Sequence, residues 1–420
     1  MMTNEGRATA SSREPVTIGL IGVGGYGHMH LQAIREAQNR GIARLVAVVI
    51  LPGLEEKTER DLRGRGVLIY RSHGEMLARA GREAAGGMEL VGVPCGIGQH
   101  ALLSIAALRA GCHVLCEKPA AGSHHEALEM QRAARETGKI LAIGYQNMYT
   151  ATVRRIKELT LEGRSGGALG RLLKATCCAR WPRGSSYYGR NEWAGRLAVD
   201  GREIFDSPVQ NALAHYLQDM LFVAGPDAHS CATPVRLYGE NYRAKSIESA
   251  DTQFLRIRTR EGPTLVFMAT HACSDVLDPV AEYVYERGTV TRRSFDDTAR
   301  VEVRDAADGR VTETLDNGPG DVHALPYLAV IRAIREGGTP VSTIDNCVQH
   351  SLCVDRLFRS CGVTPIAPSC TSTDPAPTPD TNITGIDRLM DGMFAAGQSF
   401  FEAGAPWAVP GNDIDLERSP

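Results

Sequence analysis

An α/β chain of two domains is the fold predicted here, and three observations predict it. From about residue 16, short continuous apolar runs alternate with longer stretches of helical pattern. The first of those runs leads directly into a glycine-rich loop, GVGGYG. After residue 145 the pattern changes to segments whose side chains alternate apolar and polar. Continuous apolar strands separated by helices imply a parallel sheet covered on both faces. Alternating strands imply an open, mostly antiparallel sheet with one face on a core.

Taken in order, VTIGLIGV (16–23) reads as the first strand and 27–40 as the first helix. LVAVVI (45–50), VLIY (67–70), MELVGV (88–93), HVLC (113–116) and ILAIGY (140–145) read as further strands, with helices at 98–110 and 123–138. Ser123 and Glu126 have the spacing of a capping box, which starts the second of these helices. A helix near 151–163 opens the second half, and strand-like PVRLYGE, TQFLRIRTR, TLVFMATHA, AEYVYERGTVTRRSF and RVEVRD follow. Helical DVHALPYLAVIRAIREGG and 345–361 come next. The Pro/Ser/Thr-rich stretch 364–381 reads as a linker. Beyond it a last helix is expected to pack on the body through Ile386, Leu389, Met390, Met393 and Phe394. The expected division is a tail over 1–14, a parallel α/β domain over 15–145, an α+β domain over 146–363, and linker plus helix over 364–420.

Composition narrows the class. Of 420 residues, 43% are hydrophobic and 23% charged, ordinary values for a globular protein. Lys+Arg 46 against Asp+Glu 49 leaves a net charge of −3, which offers no footprint for nucleic acid or an anionic membrane. The apolar runs fall well short of the roughly 20 residues a membrane span requires. The polar opening MMTNEGRATASSRE carries no apolar signal core, so a mobile tail on a cytoplasmic protein is expected. Eleven cysteines lie scattered; Cys177/Cys178 and Cys112/Cys116 join no zinc pattern. Reduced thiols are expected, and no metal site.

The loop after the first strand carries Gly22, Gly24 and Gly27 in the order G-x-G-x-x-G, with Gly25 and Tyr26 between them. Such a loop turns tightly, lets backbone approach a pyrophosphate and aims a helix N-terminus at the anion. Glycine turns are common, but this one follows a strand, opens a helix and begins a βαβ alternation, so NAD or NADP is the expected cofactor. A carboxylate for the ribose 2′-hydroxyl belongs at the end of the second strand. Leu51 and Pro52 stand there instead, the nearest acids are Glu55 and Glu56, and no arginine takes the place either. The choice between the two dinucleotides stays open.

The stretch VGVPCGIGQHALLSIAALRAGCHVLCEKPAA (91–121), together with GVGGYG, resembles the glucose–fructose oxidoreductase, inositol dehydrogenase and rhizopine-catabolism family. Pro94, His100, Glu117, Lys118 and Pro119 match its motifs in order, and the likeness runs from about 16 to 362. The resemblance implies a Rossmann domain followed by an open-sheet domain. It also implies an NAD(P)-dependent enzyme acting on sugars, polyols and cyclitols, with Pro94, His100, Glu117 and Lys118 beside the cofactor. The lysine of the family's Glu-Lys-Pro hydrogen-bonds the reacting oxygen. That role carries over to Lys118, because a positioned ammonium stabilises the alkoxide that develops as hydride leaves the adjacent carbon. The bland alternative is an ion pair capping a strand, with Glu117 orienting the strand end.

A family member also supplies Asp-x-x-x-His on a helix. In FDSPVQNALAHYLQDMLFVAG (205–225), Asn211 and His215 have that spacing, with asparagine where aspartate is expected. His215 is the candidate general acid/base, against the plainer reading of a satisfied packing histidine. An amide cannot hold an imidazolium as a carboxylate does. Asp219, one turn on, is a candidate for that task, or a solvated helix charge. The segment RWPRGSSYYGRNEWAGRL (180–197) gathers groups suited to a hydroxyl-rich ligand, Arg190 and Trp193 among them. It suits an oligomer contact or a surface loop equally well. Tyr145 and Gln146 are candidates to face the same cleft. His28/His30 and His124/His125 read more simply as helix-start residues.

The function expected is hydride transfer between a nicotinamide and a hydroxyl or keto carbon of a sugar, cyclitol or related polyol. Two rivals use the same residues: a redox-neutral glycosidase with transient NAD chemistry, and a non-catalytic dinucleotide-sensing regulator. Retention of Lys118 and His215 argues against the sensor. A bare sheet face in the second domain would need covering, so a homo-oligomer is also expected.

Overall fold

The computed structural model describes residues 14–53, 55–78, 87–295, 298–374 and 380–417. The expected tail, apart from Glu14, lies outside them. The first sheet is built from β1 (Val16–Ile21), β2 (Ala43–Val49), β3 (Leu68–Tyr70), β4 (Leu90–Val93), β5 (His113–Cys116) and β6 (Leu141–Ile143). Its order is β3-β2-β1-β4-β5-β6, parallel throughout. Helices α1 (Gly27–Asn39), α2 (Glu56–Gly64), α3 (His73–Leu77), α4 (His100–Arg109) and α5 (His124–Thr137) connect the strands. The order reverses between β1 and β4, so the strand ends there open the crevice where such sheets bind ligands. Ser123 accepts the Glu126 N–H at 3.3 Å and starts α5 as its spacing predicts.

The second half begins with α6 (Ala151–Arg164), β7 (Leu172–Arg180), a one-turn α7 (Ser185–Tyr188) and a ribbon of β8 (Ala198–Val199) and β9 (Arg202–Glu203). Helix α8 (Ala214–Ala224) follows, then β10 (Pro234–Arg243), β11 (Thr252–Thr259), β12 (Thr264–Thr270), β13 (Leu277–Tyr285), β14 (Gly288–Phe295), β15 (Thr298–Asp305) and β16 (Val311–Asp316). The single run expected over 281–295 is a hairpin, because Glu286 and Arg287 turn the chain between β13 and β14. After α9 (Leu325–Glu336) and α10 (Ile344–Cys361) come β17 (Thr364–Pro365), β18 (Thr371–Asp374), β19 (Asp380–Ile383), α11 (Ile386–Ala396) and β20 (Asn412–Asp415).

The large sheet runs β16-β15-β14-β13-β7-β12-β11-β10-β17, with β20 also on β10. It is mostly antiparallel; β7–β12 and β10–β17 are the parallel pairs. Two helices return to the first sheet. Tyr327, Val330 and Ile331 of α9 are buried with Ile18, Leu20 and Leu115. Just before α10, Ser342 O accepts the Ile143 N–H at 2.8 Å, so the chain closes against the end of β6.

The stretch 364–381 is not a simple linker. Its described part supplies β17, which pairs with β10, and β18, which pairs with β19. Beyond it, Ile386, Met390 and Met393 of α11, with Phe400 and Trp407, bury against Tyr242, Phe254, Val266 and Met268 of the large sheet. The helix ends at Ala396, and Phe400 and Trp407 reach the same core from irregular backbone. This part of the sheet face is therefore covered by the chain itself. The expectation of self-association loses its premise there. Among the described residues, no helix is long and apolar enough to cross a membrane.

Candidate active site

The glycine loop leaves β1 with Gly22 at φ +97° and Gly25 at φ +54°, conformations that a side chain disfavours. A Cβ on Gly27 would lie 2.8 Å from Gly22 O, so only glycine lets α1 start so close to the turn. The loop borders a cleft of about 510 Å³ lined by Gly22, Gly24, Ile50, Leu51, Glu55 and Arg71. Leu51 is 56% exposed and offers no polar group. Glu55, in the left-handed region at φ +57°, swings its carboxylate back over the loop. A Cβ on Gly24 would lie 3.1 Å from Glu55 Oε1. Thr58 Oγ1 donates to Glu55 Oε2 at 3.1 Å, and His28 Nε2 lies 3.3 Å from Oε1. Arg71, the nearest guanidinium in the cleft, is engaged by Glu59 at 2.8 and 2.7 Å and by Ile50 O at 3.0 Å.

At the end of β5 stand Glu117, Lys118 and Pro119, with a cis Lys118–Pro119 bond. Glu117 is buried. His30 Nε2 lies 3.0 Å from its Oε1, the Lys118 N–H donates to its Oε2 at 3.0 Å, and Tyr327 OH holds the other nitrogen of His30 at 2.8 Å. Burial opposes ionisation of Glu117, but the bond from His30 and the charges of His30 and Lys118 outweigh it and keep the carboxyl below its ordinary range. Glu117 thus orients the strand end. A Cβ on Gly144 would lie 2.6 Å from Glu117 Oε1, so glycine at the end of β6 makes room for the carboxylate.

Lys118 points away from Glu117 into the second half of the chain. Its Nζ donates to Asn211 O at 2.9 Å and to Asn211 Oδ1 at 3.0 Å. Asn211 Nδ2 donates in turn to Asp206 Oδ1 at 2.8 Å, while the Gly195 N–H donates to Asp206 Oδ2 at 2.7 Å. Arg190 approaches that carboxylate at 3.9 Å. Burial depresses the Lys118 ammonium, and the charges of Glu117 and Asp206 oppose the depression. A carboxylate thus backs Lys118 through Asn211, five positions before it in sequence.

Asn211 belongs to a wide turn, Pro208–Ala212, rather than to α8, which begins at Ala214. No hydrogen bond joins Asn211 to His215 among the described residues. His215 is half-buried and meets the Tyr145 ring edge-on, centroids 5.6 Å apart. Burial, with the charge of Lys118 next in importance, pushes its imidazole well below the ordinary range. It is therefore neutral at neutral pH, the form that accepts a proton. Asp219 is fully enclosed. Asn147 Nδ2 donates to its Oδ2 at 3.0 Å and Arg292 lies 3.6 Å away, so it makes no direct bond to His215.

Several expected site residues have other surroundings. Tyr145 is fully buried between His215 and His350 and faces no cleft. Gln146, also buried, lies 3.4 Å from His323 Nδ1, to which Tyr26 OH is bonded at 3.1 Å. His100, expected beside the cofactor, directs both ring nitrogens at backbone carbonyls, Pro119 O at 2.7 Å and Cys95 O at 3.0 Å. It ties the ends of β4 and β5 together and offers nothing to a ligand. Pro94 sits on the glycine loop, 3.7 Å from a Cβ on Gly27. Arg190 stacks 3.6 Å over the Tyr187 ring and 5.0 Å from Trp193, whose indole Nε1 would lie 3.2 Å from a Cβ on Gly96. The loop around 190 thus reaches across to the end of β4. His30, Glu55, Asp206 and His323 are the residues that sequence reasoning did not assign to the site. His30 carries a signal in the buried helical stripe of residues 30, 33, 34 and 37, and Glu55 in its nearness to the end of the second strand.

Comparison with known proteins bears on the fold and on the first domain. The chain is 34% identical over 164 residues to inositol 2-dehydrogenase of Streptomyces avermitilis, a span of 38% of this chain and 45% of that protein. Over 122 residues it is 36% identical to D-glucoside 3-dehydrogenase of Escherichia coli (strain K12), covering 29% of this chain and 32% of the relative. The chain thus spans less than half the length of these curated relatives. The solved WlbA dehydrogenase from Bordetella pertussis, in complex with NADH and UDP-GlcNAcA, superposes with a TM-score of 0.65 at 24% identity, over 82% of this chain and 96% of that one. At that identity the likeness is one of fold. Residues 16–145 match the model of the oxidoreductase family with an NAD-binding Rossmann fold, so it is this part of the chain that is similar to that family.

Proposed function

We propose that the protein is an NAD-dependent oxidoreductase acting on a CH–OH carbon of a sugar, cyclitol or related polyol. The observation that carries the reading is the Lys118 ammonium, held at the end of β5 by both oxygens of Asn211. The glycine cradle and the cleft beside it fit a dinucleotide: Gly22, Gly24 and Gly27 leave backbone open to a pyrophosphate, and Glu55 is placed to accept from a ribose hydroxyl. The same carboxylate would repel a 2′-phosphate, and Arg71 is already engaged by Glu59, which favours NAD over NADP. A bound nicotinamide supplies the hydride acceptor for oxidation, or the donor for reduction. Lys118 donates a hydrogen bond to the reacting oxygen and stabilises it as its charge develops. His215, neutral at neutral pH, takes the hydroxyl proton on oxidation and returns it on reduction. Glu117 and His30 keep the lysine's strand end in place.

The test is turnover of a panel of sugars and cyclitols with NAD, followed at the nicotinamide absorbance, for the wild type and Lys118→Ala. Loss of turnover with retained NAD binding is expected. Unchanged turnover in Lys118→Ala, or glycoside cleavage without net NADH, would overturn the reading.

A further inference from the structure

Helix α8 sets His215 and Asp219 one turn apart, so both side chains leave the same face. Among the polar atoms enclosed there without a hydrogen-bond partner among the described residues are His215 Nδ1 and Asp219 Oδ1, with Gln218 Oε1 of the same helix and Tyr145 OH nearby. The segment Tyr145–Asn147 straps across them. The Tyr145 ring lies edge-on to the imidazole at 5.6 Å, and two residues later Asn147 Nδ2 donates to Asp219 Oδ2 at 3.0 Å. Arg292 reaches the same carboxylate only at 3.6 Å, through Oδ2, and so leaves Oδ1 unsatisfied. Buried polar atoms without a protein partner are costly, and an ordered water that bridges two of them is the usual resolution.

We propose that Asp219 is the carboxylate partner of His215 and acts on it through one buried water. The water accepts from His215 Nδ1–H and donates to Asp219 Oδ1. That bond selects the Nδ1–H tautomer and leaves the lone pair on Nε2, the ring nitrogen that is not sealed off. Asp219 is then a positioning residue: it fixes which nitrogen is the base and stabilises the imidazolium formed when Nε2 takes a proton. The link takes over the task that an aspartate at position 211 was expected to perform, which Asn211 leaves aside by turning to Lys118. The catalytic part of this inference rests on the proposed role of His215, whereas the water and the tautomer are properties of the resting protein.

Two measurements on the full chain test it. A crystal structure that resolves ordered solvent should show a water within hydrogen-bond distance of both His215 Nδ1 and Asp219 Oδ1; a dry contact there, or a protein group filling it, overturns the proposal. Nitrogen-15 histidine shifts, assigned with His215→Gln, should report the Nδ1–H tautomer in the wild type and its loss in Asp219→Leu. An unchanged tautomer in Asp219→Leu overturns the proposal too. If that variant does not fold, Asp219→Asn is read by the same shifts and should lower kcat about tenfold to a hundredfold with NAD affinity kept. If no substrate is ever turned over, the functional reading fails while the water and the tautomer still decide this one.

Discussion

The Asp206 carboxylate lies one hydrogen bond beyond the group that holds Lys118: Asn211 donates to it at 2.8 Å and accepts the lysine ammonium at 3.0 Å. The carboxylate acts on Lys118 across a neutral amide, and the half-buried ammonium is balanced without touching its counterion. Replacing Asn211 by aspartate therefore does not restore a simpler site. It would set two carboxylates about 2.8 Å apart, where like charges cannot both ionise without cost. Asn211→Asp is expected to lower kcat/KM tenfold or more, and Asp206→Asn to lower it as well. The double variant should recover most of the loss, since it keeps one carboxylate and one amide. Additive losses in that cycle would show that the carboxylate does not act on Lys118 across the amide.

The proposed preference for NAD rests on Glu55, whose carboxylate borders Gly24. Glu55→Gln removes the charge that repels a 2′-phosphate and weakens acceptance from a ribose hydroxyl. NAD should bind about tenfold more weakly, roughly 1.4 kcal/mol, and NADP more tightly than to the wild type. Dissociation constants from nicotinamide fluorescence check both directions. A variant with the wild-type preference would place the ribose elsewhere.

What was legible in the sequence was written in contiguous residues. Gly22, Gly24 and Gly27 carry their conformational demand in one loop, and Glu117-Lys118-Pro119 follows a strand that its own apolar run announces. Glu55 was not assigned because its contact depends on one left-handed residue that folds the chain back. Asp206 was missed because a wide turn, not the helical repeat, sets where Asn211 points. Tyr145 looked like a cleft residue from its place at a strand end, yet two histidines distant in sequence enclose it. Composition alone marks 364–381 as a linker, because pairing with β10 is a long-range fact that composition does not carry.

Acid should destabilise the fold in part through His350. The residue is fully buried on α10, its Nε2 lies 3.0 Å from Val209 O, and burial pushes the imidazole down to about 4. Its folded value lies below the ~6.5 of an unfolded histidine. The stability it contributes is thus complete above that unfolded value and is lost as pH falls toward about 4. The slope is at most about 1.4 kcal/mol per pH unit. Asp219, raised by burial to about 6, works in the opposite sense over part of the window, so the comparison must be between variants. His350→Gln keeps a donor for Val209 O and removes the titration. Denaturant midpoints at pH 7, 5.5 and 4.5 should show the wild type losing more stability than the variant. Parallel losses would mean that His350 is not held neutral.

The C-terminal segment should be part of the core. Met390 has no exposed surface and packs with Met393, Phe400 and Trp407 over Phe254, Val266 and Met268 of the large sheet. A carboxylate placed there finds no partner in an apolar setting, which costs several kcal/mol. Met390→Asp is expected to lower stability by about 3 kcal/mol or more and to expose the apolar sheet face to a hydrophobic dye. Arg388→Asp, on the exposed side of α11, serves as the control and should stay within about 0.5 kcal/mol of the wild type. If the segment were a detachable appendage, Met390→Asp would melt with the wild type and bind no more dye. The covered sheet face makes the opposite outcome the expected one, because that face has no other cover among the described residues.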